Sequence, residues 1–399
     1  MKLKTLTSAI IVAALPSTAV FAAALDRSGQ SVSAFLQPGN YFEAGISIID
    51  PNVSGQSNDG KATGDMANDY YFPAAALKIQ ATDKLSVGLL YDQPFGADAE
   101  YSTINPNFSA NGQGTSAEVR TQNLTALIGY QPTERWNIYG GAAYQTAEGK
   151  VALRGDAYSV LSGYNATLSE DDGWGWVAGV AYQIPEIALK ASLTYRSAIE
   201  HELDGYETHS GYPLNVALSS ALNTTIPAFK PGKTTIETPQ SVNLDFQTGI
   251  MANTVAFANI RWAEWSDFSI RPNEFGQALD LLANSNPALK GGNLVDYSDD
   301  QWSATVGVGR KFNEKWAGNT SIGWDSGAGD PVTTLGPVEG YWNVGLGLQY
   351  SPAENYFIGG GVKYFMFGDA TAKTVSNPNV GKFDDNDGWA YGLKMGYRF

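Results

Sequence analysis

Residues 387–399, DGWAYGLKMGYRF, decide the fold. Trp389, Tyr391, Leu393, Met395, Tyr397 and Phe399 share one parity, and Ala390, Gly392, Lys394, Gly396 and Arg398 share the other. Successive side chains of an extended strand point to opposite faces, so this segment has one aromatic face and one small or cationic face. A soluble edge strand has no need of that pattern. A wall strand of a closed barrel does, with lipid outside and a polar lumen inside.

Composition agrees. Aromatic residues make up 12% of the 399 residues but charged residues only 16%, and there is no Cys. The mean hydropathy is nonetheless negative, which excludes a bundle of transmembrane helices. A transmembrane barrel reconciles the two, because only alternate strand residues are apolar. Residues 1–22 read as a secretory signal peptide, with Lys2 and Lys4 before an apolar run and a small-residue cleavage signal ending at Ala22, Ala24 being the alternative. The net charge of −15 argues against nucleic acid as a partner, since phosphates would be repelled.

Beyond a short N-terminal hatch at residues 23–40, residues 41–399 divide into alternating segments that predict an all-β fold, a 14-stranded antiparallel transmembrane barrel. Segments 85–95, 173–184, 187–206, 254–268 and 356–370 are among the predicted strands. In the segment from residue 187, Leu193, Ser197, Ile199 and His201 fall on the outward parity, and Lys190, Arg196 and Glu200 fall inward. Tight turns such as 82–84 and 313–315 alternate with long polar segments, the largest being 207–238 and 269–299. Short periplasmic turns and long outer loops are the barrel pattern, and an even strand number puts both termini in the periplasm. The predicted location is the outer membrane of a Gram-negative bacterium.

Several segments carry a resemblance. FEAGISIIDPNVSG at 42–55, YDQPFGADAEY at 91–101, LTYRSAIEHELDGYE at 193–207 and FANIRWAEWSDF at 257–268 keep their order and spacing over nearly the whole mature chain. Together they resemble the FadL family of outer-membrane transporters of long-chain fatty acids and other hydrophobic compounds. The resemblance implies a monomeric barrel closed by an N-terminal hatch. Hydrophobic ligands would be caught by outer loops, passed to a lumenal pocket and released sideways through a kinked third strand. It also implies a hydrophobic small-molecule partner and no cofactor. The hatch departs from the family pattern, being short and lacking Asn-Pro-Ala.

Candidate site residues follow. Pro94 has no amide proton to give a ladder and Gly96 relaxes the backbone beside it, so the strand either ends or kinks there; the resemblance implies a kink and a lateral opening. For an apolar ligand surface the resemblance implies Leu25, near the mature N-terminus that cleavage after Ala22 would leave, and the further candidates are Phe95, then Leu153, Tyr158 and Leu161 in the third outer loop. Leu214, Leu218, Leu222 and Phe229 in the fourth complete that set; the two loops equally suit packing on each other over the barrel mouth. For an anionic head group the resemblance favours Arg154 with Lys150 nearby, because paired charge-assisted hydrogen bonds suit a carboxylate. Arg196 and Lys190, lumenal by parity, are second choices, or else pair with lumenal acids such as Glu200 and Asp245.

The acidic runs 170–172 and 384–387 read as solvated loop charge or as contacts to cation-bridged lipopolysaccharide; no metal-ligand spacing occurs. The terminal Phe399 resembles the aromatic residue by which the outer-membrane assembly machinery recognises barrels. No enzyme is predicted: His201 and His209 are the only histidines, and neither sits in a nucleophile motif. The alternative function is a general porin for small polar solutes.

Overall fold

The computed structural model describes residues 24–399. The signal peptide predicted at 1–22 lies outside the described residues.

Fourteen antiparallel wall strands form one closed sheet. They are β1 Tyr41–Asn52, β2 Tyr70–Gln80, β3 Leu85–Asp92 resuming as Gly96–Glu100, β4 Ser116–Thr133, β5 Trp136–Ala152, β6 Tyr164–Ile184 and β7 Leu189–Arg196. The others are β8 Ser241–Met251, β9 Thr254–Ala263, β10 Gln301–Lys311, β11 Trp316–Asp325, β12 Tyr341–Ala353, β13 Tyr356–Phe367 and β14 Asp387–Arg398. The ring shuts where β14 pairs with β1, from Asn52 against Asp387 to Tyr41 against Arg398.

Alternation sets the register. On β14, Trp389, Tyr391, Leu393, Met395 and Tyr397 are exposed on the outer face while Ala390 and Gly396 are buried. A slip of one residue would put Lys394 and Arg398 into lipid, at roughly 2 to 4 kcal/mol for each cation at the midplane. Aromatic pairs gird both ends: Trp136 packs at a tilt against Tyr182 at the short-turn end, with ring centroids 4.7 Å apart, and Tyr364 against Trp389 at the long-loop end at 4.8 Å.

Four predicted strands behave differently. Segment 187–206 leaves the wall after Arg196: Ile199–Leu203 turns inward and pairs with Thr234–Thr238 inside the mouth. Ile199 and His201 are therefore buried, not lipid-facing, and His201 Nε2 lies 3.1 Å from Gln145 Oε1. Glycine makes this possible, because a Cβ at Gly173 would meet Glu200 O at 2.5 Å. Segment 254–268 ends as a strand at Ala263; Trp265–Asp267 is a 3-10 turn that drives Trp265 into the interior. Segment 173–184 is longer than expected, since β6 runs from Tyr164, and segment 356–370 is shorter, its last residue joining a small capping sheet.

The cap over the mouth is largely apolar. Leu214–Ala221 forms α1 and Asn273–Leu282 forms α2, whose Phe275, Ala278, Leu279 and Leu282 face the interior. Glu207 holds the start of α2, accepting hydrogen bonds from Glu274 N at 2.8 Å and Phe275 N at 2.6 Å.

Candidate functional site

Three features meet near residues 92–96: a break in the wall, an apolar cavity and the N-terminal segment. β2 pairs with β1 along Tyr70–Lys78 but with β3 only along Ala75–Gln80. The ladder between β2 and β3 thus stops at the pair Ala75 and Tyr91, and the two chains meet again only where Ala67 bridges Ala99. Between these points the wall has a gap, flanked by Tyr70 and Phe72 on one side and by Pro94 and Gly96 on the other. Pro73, opposite Ile46 of β1, falls in the stretch of β2 that has no partner on the β3 side, an edge position that tolerates proline.

The break is not left unsatisfied. Phe95 N donates to Thr121 Oγ1 at 2.9 Å, and that hydroxyl donates back to Phe95 O at 2.7 Å. From inside, Arg27 N donates to Pro94 O at 2.6 Å and Gly96 N donates to Leu25 O at 2.8 Å. The N-terminal segment therefore lies as a short antiparallel bridge against the broken strand, Asp26 opposite Phe95. Buried backbone groups need such partners, above all at membrane depth.

The same segment is tied across the lumen. Arg261 on β9 donates to Asp26 Oδ2 at 2.6 Å, with both side chains buried. Asn243 Nδ2 donates to Gly29 O at 2.7 Å, Arg196 Nη2 to Gln30 O at 3.1 Å and Lys190 Nζ to Leu36 O at 2.8 Å. Further on, Phe35 is buried edge-on to Tyr139, centroids 5.8 Å apart, over a surface on β3 kept bare by Gly88.

Above this segment lies a narrow cavity of about 90 Å³, lined by Leu25, Arg27, Tyr70, Phe95, Trp265 and Phe268 among others. Trp265 is its aromatic hub, 5.5 Å from Phe95, 5.0 Å from Phe268 and 5.3 Å from Tyr297. Below the segment lies a polar cavity of about 410 Å³, lined by Glu43, Lys190, Arg196, Asp245, Lys363 and Lys394 among others.

Of the residues expected from sequence, Leu25, Phe95, Gly96 and Lys150 line the apolar cavity. Leu153, Tyr158, Leu161, Leu214 and Leu218 are buried in the cap above it, Phe229 packs partly buried against them, and Leu222 is exposed. Arg154 lies elsewhere, at an outer cleft with Glu100 and Gln113. Its guanidinium is spent locally, donating to Gln113 Oε1 at 3.0 Å, Leu153 O at 2.8 Å, Tyr164 O at 3.0 Å and Asn165 Oδ1 at 2.6 Å. Arg196 and Lys190 line the polar cavity and hold the N-terminal segment rather than pairing with Glu200, which is exposed. Lys150 is the one expected cation at the apolar cavity.

Sequence reasoning passed over Arg27 and Trp265. Asp26 and Arg27 are the only charged residues between 23 and 40, a signal that was available. For Trp265 the strand-like run before it concealed the turn.

The family described as "Outer membrane protein transport protein (OMPP1/FadL/TodX)" matches residues 30–399. Among solved structures the fold is similar to a Pseudomonas aeruginosa FadL homologue, with TM-score 0.68, 15% identity and 91% of each chain covered. It is also similar to the P. putida toluene transporter TodX, with TM-score 0.60, 14% identity, and 91% of this chain and 90% of that one covered. The Ralstonia pickettii toluene transporter TbuX gives TM-score 0.60 at 12% identity, with 97% of each chain covered. No curated protein matches in sequence. Fourteen wall strands, the interrupted third strand and the match over nearly the whole chain lead to one conclusion: this chain belongs to the OMPP1/FadL/TodX family of outer-membrane transport proteins.

Proposed function

We propose that the protein is a passive uptake channel for long-chain fatty acids or other hydrophobic compounds. Ligand is captured on the outer loops, passes to the apolar cavity and leaves sideways through the gap between β2 and β3. The observation that carries this reading is the unpaired stretch of β2 beside an apolar cavity, because a lipid-soluble molecule leaving there never crosses water. Tyr206, Tyr212, Val216 and Leu222 are exposed on the outer loops and form a landing surface. The ties of the N-terminal segment across the lumen argue for a hatch and against a general porin, which needs an open aqueous path. In this reading the chain acts as a monomer with both termini periplasmic, the acidic runs meet lipopolysaccharide and Phe399 meets the assembly machinery.

Uptake of labelled oleate by cells lacking and then regaining the protein tests the proposal. Restored oleate uptake with unchanged sugar and ion flux is expected. Oleate uptake that ignores the protein, with sugar flux that follows it, would overturn it.

A further inference from the structure

The lipid-facing side of the wall carries one charge that nothing in the protein answers. Arg310, on β10, shares the outward parity of Trp302, Val306 and Val308 and is exposed. Among the described residues it makes no hydrogen bond or ion pair. No other charged side chain among them stands on the lipid-facing parity in the short-turn half of a wall strand. Thr320 on β11 faces the same way, exposed and likewise without a protein partner among the described residues.

Both line a shallow groove of about 560 Å³ on the outer wall, bounded by Phe312, Leu346, Leu348 and Val362. Gly318 lies opposite both Arg310 and Leu348, and Gly360 lies opposite Leu348, so the floor is low on each side of that leucine. Phe312 covers Gly318, its ring 3.0 Å from where a Cβ would stand. A Cβ at Gly360 would meet nothing nearer than 3.6 Å, so packing within the wall does not demand this hollow. The rings of Trp316 and Tyr350, 4.8 Å apart and one ladder step nearer the turn, mark the headgroup level of the bilayer.

A guanidinium without a partner is costly against hydrocarbon, but its long stem lets it reach the phosphate layer. The pair it makes there is specific, because the planar fork matches two phosphate oxygens. Thr320 stands two residues along β11 from the position opposite Arg310, about 7 Å further from the turn at the rise of a strand. Its hydroxyl is a donor on the acyl side of the phosphate, where the ester carbonyls of a glycerolipid lie. A second copy of the chain fits less well, since a twofold contact centred on the groove would set like cations against each other.

We propose that this groove binds one glycerophospholipid of the periplasmic leaflet. The phosphate pairs with Arg310, an ester carbonyl accepts from Thr320, and an acyl chain lies over Gly360 between Leu348 and Val362. The short turns are periplasmic in the reading above, and the assignment rests on that orientation but not on uptake.

The test is native mass spectrometry of the full mature chain, folded in detergent and titrated with phosphatidylglycerol or with diacylglycerol of the same acyl chains. Wild-type protein is expected to hold one phosphatidylglycerol and to prefer it over diacylglycerol by about tenfold, the scale of a charge-assisted pair. Arg310→Leu, which removes no contact within the protein, is expected to erase that preference, and Arg310→Lys to keep part of it. Lys315→Ala, in the adjoining turn, should retain it and so separates the groove from general attraction to positive charge. Equal retention of the two lipids by wild type, no retention of either, or an unaltered preference in Arg310→Leu overturns the proposal. A protein dimer in place of the lipid adduct assigns the groove to a second copy and overturns it as well. Heat-modifiable gel mobility checks folding, and the wild-type comparison decides even if a variant does not fold. Cells carrying Arg310→Leu are expected to take up oleate as wild type does, so the uptake reading and this one fall separately.

Discussion

Thr121 and Phe95 exchange two hydrogen bonds across the broken third strand, the hydroxyl accepting from Phe95 N and donating to Phe95 O. One side chain thus replaces the ladder that the break removes. Thr121→Val keeps shape and volume but strands two buried backbone groups, at about 1 to 3 kcal/mol for each unsatisfied group. Urea unfolding followed by tryptophan fluorescence should show that loss, and Thr121→Ser should recover most of it. A valine variant as stable as wild type would show that the break finds other partners.

Phe35 fastens the N-terminal segment to the wall through Tyr139 and the bare surface at Gly88. Phe35→Ala empties that socket and should cost about 3 to 5 kcal/mol of the segment's seating. Planar-bilayer recordings are the direct readout. The alanine variant is expected to conduct small ions where wild type does not, and a silent variant would mean that the remaining lumenal ties suffice.

Breaking the pair of Asp26 and Arg261 leaves a charge buried without its partner. Asp26→Asn alone should destabilise by about 3 to 5 kcal/mol, whereas the double change Asp26→Leu with Arg261→Met should recover much of that. A double-mutant cycle by denaturant unfolding measures the coupling. A coupling energy near zero would show that the segment is held by its other ties, through Asn243, Arg196, Lys190, Phe35 and the backbone bridge to Pro94 and Gly96.

Glu339, in the loop just before β12, has its pKa raised to about 7 by burial, despite hydrogen bonds from Gly329 N and Ala328 N that favour its charged form; Asp330 and Asp299 push it further up. A carboxyl raised in the folded state stabilises most where it is protonated, below its unfolded pKa of about 4.5. That contribution fades as pH climbs towards 7. The outer loops should therefore resist proteolysis better at pH 5 than at pH 8, and Glu339→Gln should flatten the difference. Protection that rises with pH in wild type would contradict the sign.

Wherever lipid imposes the pattern, the fold was legible. β14 and β7 read correctly because a misplaced Lys190, Arg196 or Lys394 would face hydrocarbon, and few registers avoid that. Above the membrane no such constraint applies. After Arg196 the alternation continues in the sequence, but both sides of the chain meet protein or water, so His201 was assigned outward although it is buried against Gln145. The same blindness hid Trp265 and α2, where packing of loops on one another decides the conformation. Pro94 and Gly96 marked the break, yet nothing in the local run tells that residues 25–27 fill it, because that contact is set by the whole closed ring.

The seam between β1 and β14 joins residues as distant as Glu43 and Lys394, 351 positions apart, whose side chains meet at 3.3 Å. Until that seam zips, two long apolar edges stand open at once, each a template for any other extended chain nearby. Contacts so remote in sequence are slow to form. The vulnerable moment in the life of this molecule is thus not in its finished wall but in the interval before closure, when an escort that shields both edges would do more for the yield of folded barrel than any added stability.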